Sequence, residues 1–338
     1  MEVAKQIQKK LRFFDIAANL ADLQFSGNYY DKQRHPNDIE QVIKRSQEIG
    51  CDRLLIVGGY LQDSIMSYEI CKTNDKFYTT CGVHPCRVDE VEKNGVTQQE
   101  YYQKMVDFIT QHKDKCVAIG ECGLDYDRFD YCSKELQLKH FPMHFDLAKQ
   151  FNLPMYLHNR NTGNDFFEIV KENRHKFGQG VVHSFTGTEE ELKQILELDL
   201  FVGINGCSMK TEEQLENLKK IPLDKLMIET DAPYCEIRNS HAGMKYVQTK
   251  FKSVKKEKWK EDCLVKGRNE PCQIIQVLEV LEGVLEIPQE RLAEICYQNT
   301  LKFFNLKDDL QIQQNDQQQL DQNQQKEKEE VKEQEQQL

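Results

Sequence analysis

In the stretch "VAIGECGLDYD", Val117 to Asp127, an apolar run carries Glu121 and then Asp125 and Asp127 toward the protein interior. An unpaired charge there costs several kcal/mol, so Glu121 needs a cation. Other apolar runs also turn polar only at their ends. Asp15 and Asn19 close the first, His84 follows the third, His158 and His183 end the fifth and sixth, and Asp231 ends the eighth. The imidazoles of His158 and His183 with the carboxylates of Glu121 and Asp231 make a ligand set for Zn, Mn or Mg, one or two ions per chain. Taken singly, each has a structural reading: a strand-end histidine is often just hydrogen-bonded, and an Asp before Ala-Pro can cap a turn. Four of them on four strands favour the metal. His84, in "GVHP", reads equally as a proton-transfer or phosphate-binding group and as a turn histidine held by Pro85. His140 and His144 flank Pro142 and read as a packed or solvated helix face. His35, His112, His175 and His241 carry no assignment.

The elements that must position this set repeat one pattern. "FFDIAAN", "RLLIVGG", "FYTTCGV", "CVAIGEC", "PMYLHNR", "GVVHSFTG", "LFVGING" and "LMIETDAP" are short, rich in β-formers and closed by Gly, Pro or polar residues, as buried strands are. Helical spacing separates most of them, over Ile39 to Gly50, Leu61 to Thr73, Glu100 to Gln111, Ser133 to Phe151, Asp165 to Phe177, Thr188 to Leu198 and Thr211 to Lys220. Thr188 with Glu191 and Thr211 with Gln214 form capping boxes. Eight strand–helix units predict right-handed crossovers and a (β/α)8 TIM barrel, with a doubly wound open sheet as the alternative. In a barrel, the polar strand ends converge on one mouth.

The chain has 338 residues, 30% of them charged, and a net charge of −11. Residues 307–338 hold four lysines against nine acidic residues, which is −5 of that total and leaves −6 on the rest. So acidic a body binds a polyanion only at a confined site, through cations or a small basic patch. The Gln-rich segment 307–338 has too few aromatic and β-branched residues to offset its ordering entropy and is expected to be a disordered tail behind a barrel spanning 11–306. The first ten residues read the same way. The twelve cysteines are scattered, with no Cys-x-x-Cys pair, and read as reduced core residues of an intracellular protein. No run approaches the ~20 apolar residues of a membrane span, and no signal peptide is recognisable.

From Phe13 to Leu306 the chain resembles the TatD-type deoxyribonucleases, most closely the eukaryotic members. The resemblance rests on "FDIAANL", "GVHP", "VAIGECGLDYDR", "PMYLHNR", "VVHSFTGT", "LMIETDAPY", "SHAGMKY" and "RNEPC", in family order. It implies a metal-dependent TIM barrel that hydrolyses DNA phosphodiesters as a 3′ to 5′ exonuclease or endonuclease. Glu121, His158, His183 and Asp231 would bind the metal, and Asp231 would also take a proton from the attacking water. Single-stranded DNA or 3′ ends are the implied substrate. A nuclear address follows by resemblance, with cytosol as the alternative. One departure concerns the first strand, where many relatives carry Asp-x-His-x-His and this chain has Ala17 and Asn19. Ala17 cannot ligate, whereas Asn19 and Asp15 offer oxygens, so a second metal would have fewer and softer contacts. Asn159 stands where relatives often have Cys, a change expected to matter little.

A phosphodiester is anionic and has a poor leaving group, and a divalent ion answers both difficulties. Arg160 and Arg128, just past two of the strand ends, are candidates for gripping phosphate, although each reads equally as a local ion pair. "KYVQTKFKSVKKEKWK" places seven lysines among Tyr246, Phe251 and Trp259 and reads either as a nucleic-acid contact or as a solvated insertion. Arg268 and Glu270, in "GRNEP", are expected to form a structural pair near the site. Two other functions stand beside the nuclease. One is a barrel hydrolase of a small amide or ester, disfavoured because strand four ends in Glu rather than Lys and strand one has no histidine. The other is a non-catalytic DNA-binding relative, favoured by Ala17 and Asn19 and opposed by the four retained ligands.

Overall fold

A computed structural model describes residues 11–92 and 95–309. The eight predicted strands form one parallel sheet in chain order: β1 Phe13–Ala18, β2 Cys51–Ile56, β3 Phe77–Cys81, β4 Cys116–Asp125, β5 Met155–Arg160, β6 Gly180–Val182, β7 Phe201–Ile204 and β8 Leu226–Ile228. The sheet curls back on itself. A parallel bridge from Ala18 to Ala232 joins the ends of β1 and β8, and the Asn19 amide donates to the Ala232 carbonyl at 2.7 Å. A (β/α)8 barrel results, not an open sheet.

The period of two along each strand divides the core. Leu54 and Ile56 of β2, Met155 and Leu157 of β5, and Leu226 and Ile228 of β8 pack outward against the helices. Leu55, Tyr156 and Met227 between them point inward and fill the barrel. Among the described residues, ten α-helices surround it: α1 Ile39–Glu48, α2 Leu61–Cys71, α3 Gln98–Gln111, α4 Lys134–His140, α5 Met143–Phe151, α6 Asp165–Asn173, α7 Glu189–Glu197, α8 Glu212–Leu218, α9 Ile274–Leu285 and α10 Gln289–Phe303. Both expected capping boxes form, and Thr97 with Glu100 makes a third at the start of α3. The end of α10 closes the bottom of the barrel, where Phe304 packs on Phe14 and Phe303 on Phe201. The opposite end is left as the mouth.

Four details differ from the sequence reading. The helix expected from Ser133 to Phe151 is two helices, divided at Phe141–Pro142 because proline has no N–H and clashes with the preceding turn. The segment Asp165 to Phe177 leaves the α-helix at Asn173 and finishes in a 3-10 turn, Arg174–Lys176. Helices α9 and α10 were not anticipated. Asp308 and Asp309, expected in the tail, are held on the barrel: Asp308 pairs with Arg12 at 2.7 Å, and Asp309 pairs with Arg53 at 2.7 Å and Lys76 at 2.8 Å. Residues 310–338 and the first ten lie outside the described residues. Among the described residues, no helix is long and apolar enough to cross a membrane.

Candidate metal centre

Glu121 owes its direction to a β-bulge. Ile119 pairs with Met155 and Cys122 with Leu157, so three residues of β4 oppose two of β5. Such a bulge bends the strand and re-aims a side chain. It depends on close backbone approach at Gly120, which has φ +146° and whose Cβ, if present, would stand 2.2 Å from the Tyr156 carbonyl oxygen. The register beyond the bulge sets Gly123 beside His158 and Asp125 beside Arg160.

Three imidazoles converge on one oxygen of Glu121. Oε1 lies 2.6 Å from His183 Nε2, 2.9 Å from His158 Nδ1 and 3.4 Å from His84 Nε2. The facing nitrogens of His158 and His183 are 3.3 Å apart. Ligand atoms of Glu121, His158 and His183 all lie within 4.8 Å of one another, as do those of His84, Asp125 and His158. Two ring nitrogens crowding each other and one carboxylate oxygen require a positive charge among them. This donor set of one oxygen and two nitrogens fits a divalent cation.

The electrostatics follow from burial and pairing. Burial opposes ionisation of Glu121, but His183, His84 and His158 outweigh it and hold its pKa well below the usual carboxylate range. Burial would neutralise His158, but bonds to Asp125 and Glu121 raise its pKa; for His183, Glu121 and Glu229 do the same. His84 behaves differently. Its Nδ1 accepts from the Cys86 amide at 3.0 Å, which puts the ring proton on Nε2, facing Glu121. Burial lowers its pKa to about 4, so at neutral pH it is an uncharged donor. His84 thus caps its turn through Nδ1 while its Nε2–H faces Glu121.

Asp231 stands across the mouth in a left-handed conformation, φ +56°. It is not among the residues whose ligand atoms share the 4.8 Å spacing. Its Oδ1 accepts from Asn19 Nδ2 at 2.9 Å, and the Cys235 thiol contacts Oδ2 at 3.2 Å. Burial and the nearby Glu229 and Glu121, against the pull of His183, raise its pKa to about 7. The side chain of Asp15 is occupied elsewhere: Oδ1 accepts from the amides of Thr230 at 2.9 Å and Ala17 at 3.1 Å, and Oδ2 from the Thr230 hydroxyl at 2.5 Å. It ties β1 to the end of β8.

Two carboxylates to which the sequence reading gave no role stand beside these residues. Asp125, almost fully buried, grips Arg160 in bidentate fashion, Nε to Oδ1 at 3.0 Å and Nη2 to Oδ2 at 2.7 Å, and lies 3.2 Å from His158 Nε2. Those contacts outweigh burial and lower its pKa to about 2. Glu229 is fully buried behind His183, Oε1 to Nδ1 at 3.6 Å, and accepts from the Ser184 amide and Asn205. The period of two was a signal for Asp125, which shares a face of β4 with Glu121, and for Glu229, which continues the inward alternation of Met227 just past the end of β8. Arg128 is exposed in the loop after β4. Arg268 and Glu270 do pair, at 2.9 Å, and Arg268 also holds Asp38 through two bonds, joining the loop after β1 to the segment after β8. Trp259 donates to the same Asp38 and stacks on His35, so it is part of that support.

Residues 14–305 match the sequence pattern described as TatD related DNase. The chain belongs to that family. It is 39% identical over 302 residues, 88% of this chain and 97% of the other, to a protein of Schizosaccharomyces pombe named Deoxyribonuclease Tat-D. A protein of Erwinia billingiae named 3′-5′ ssDNA/RNA exonuclease TatD is 30% identical, over 87% of this chain and 99% of its own. The fold agrees with a crystal structure of a TatD family hydrolase from Entamoeba histolytica, TM-score 0.82, 36% identity, covering 87% of this chain and 98% of that one.

Proposed function

We propose that this protein is a metal-dependent deoxyribonuclease that hydrolyses phosphodiester bonds of DNA, as a 3′ to 5′ exonuclease acting on single strands or 3′ ends. The observation that carries the reading is the convergence of His183, His158 and His84 on Glu121 at the mouth of the barrel. The names of the fission yeast and bacterial relatives support the substrate class.

Glu121, His158, His183 and Asp231 would hold one or two divalent cations, Mg, Mn or Zn, with Asn19 as a further oxygen donor. When bound, the cation supplies positive charge to the phosphate and acidity to water. Asp231 takes the proton from the attacking water. The neutral Nε2–H of His84 donates to a non-bridging phosphate oxygen. Arg160, held by Asp125 yet one-third exposed, keeps further N–H groups for the backbone of the strand, and the exposed Arg128 in the loop after β4 is a second candidate for phosphate.

The test is cleavage of a 5′-labelled single-stranded oligonucleotide by protein supplied with Mn²⁺ or Mg²⁺, beside a panel of small esters and amides. A ladder shortening from the 3′ end, abolished by chelator and by Glu121→Gln, is expected. Intact DNA together with hydrolysis of a small ester or amide would instead favour the alternative hydrolase.

A further inference from the structure

Among the described residues, water-exposed aromatic rings occur at only one end of the barrel. Among the described residues the four exposed aromatic side chains are Tyr30, Phe129, Tyr131 and Tyr234, all in loops that follow the C-terminal ends of β1, β4 and β8. Tyr30 and Tyr234 line the same groove, of about 580 Å³.

Tyr30 is held there at a cost. With Asp31 it forms the turn of a small hairpin, Asn28–Tyr29 paired with Lys32–Gln33, and both turn residues have left-handed backbones, φ +53° and +59°. Asn and Gly are the ordinary occupants of such a turn, because a side chain there is disfavoured by roughly 1–2 kcal/mol. Burial does not offset that cost, since the ring is 92% exposed. Lys256 stands 4.6 Å from the Tyr29 ring and 5.7 Å from that of Tyr30, fixing one edge of the groove. Tyr234, half exposed, fixes the other. Its amide donates to the Asp231 carbonyl at 2.8 Å and its hydroxyl donates to Asp22, whose own amide is bonded to the Asn19 carbonyl. Through these bonds the wall of the groove is tied to Asp231 and Asn19 at the edge of the metal centre.

Its charge indicates which part of a ligand it takes. Lys255, Lys256 and Lys266 are balanced by Asp22, Asp31 and Glu257, so the lining is electroneutral. A channel that tracks phosphates would carry excess positive charge, whereas aromatic faces without it suit a nucleobase. We propose that this groove binds an unpaired base of a single-stranded nucleic acid, that of a nucleotide flanking the phosphate at the metal centre, by stacking on Tyr30 and Tyr234. The proposal rests on the nuclease reading for its ligand, and it adds a stacking subsite that tolerates any base.

The experiment compares two fluorescein-labelled strands by anisotropy in the presence of chelator, an oligothymidylate and an abasic strand of the same length. Tyr30→Ala is expected to weaken the oligothymidylate by about tenfold or more while changing the abasic strand by less than about twofold. Tyr234→Leu is expected to give the same split from the other wall. Unchanged affinity of Tyr30→Ala for the oligothymidylate overturns the proposal. So does equal weakening of both strands, which would make Tyr30 a hairpin residue only. If wild-type protein with Mn²⁺ cleaves no DNA but shows the split, the subsite stands and the nuclease reading alone falls.

Discussion

His183 Nδ1 and Glu229 Oε1 face each other at 3.6 Å in the fully buried floor of the metal centre, and the Nδ1 atom has no other partner. A carboxylate behind a histidine fixes which ring nitrogen carries the proton and leaves the opposite nitrogen, here Nε2, free to ligate. Glu229→Gln is therefore expected to weaken Mn²⁺ or Zn²⁺ binding by about 10- to 100-fold, measured by titration calorimetry, with little change in thermal stability.

Gly120 tests the bulge that aims Glu121. Any Cβ at this position meets the backbone of Tyr156 and must push β4 from β5. Gly120→Ala should cost more than about 2 kcal/mol in urea unfolding, and should lower metal content along with stability.

Most of the fold was legible because each barrel strand is short, buried on both faces and ends in polar punctuation, which leaves little freedom in placing it. Helices α9 and α10 were missed because the lysine-rich stretch before them drew the reading toward an insertion, although "QIIQVLEVLEGVL" repeats apolar residues at helical spacing. The histidines and Glu121 could be named because they end apolar runs. Asp125 was overshadowed by Glu121 four residues before it, and Glu229 by Asp231 two residues after it. The engagement of Asp15 with Thr230 could not be read at all, since it depends on the closure of the barrel, which brings together residues 215 apart in the chain.

Arg268 is buried with Asp38 and Glu270, and Arg45 also reaches Glu270. Its removal leaves Asp38 with only the Trp259 indole and the backbone as partners. Arg268→Ala should destabilise the protein by about 3–5 kcal/mol, whereas a hydrophobic replacement of all the charged partners together would cost far less. Chemical denaturation of the single variant checks the first figure.

His144 supplies a pH dependence remote from the metal. Nε2 accepts from the Val83 amide at 3.0 Å and Nδ1 donates to the Phe141 carbonyl at 3.1 Å, so the buried ring is neutral and steadies the loop that carries His84. Burial lowers its pKa to about 4, below the 6.5 of an unfolded histidine. Between those values the unfolded chain binds the extra proton, so stability is full above pH 6.5 and falls as pH drops toward 4. The loss is about 3 kcal/mol. His144→Gln, which can keep both bonds without titrating, should be less sensitive over the same window when both are unfolded in urea.

The central claim is that Glu121, His158 and His183 surround a divalent cation. Anomalous scattering from crystals grown with Mn²⁺ or Zn²⁺ tests it most directly. The account predicts a peak at roughly 2.0–2.2 Å from a Glu121 oxygen and from one nitrogen each of His158 and His183. Crystals of cleavage-competent protein with no peak there, the imidazoles still bonded to the carboxylate, would contradict it.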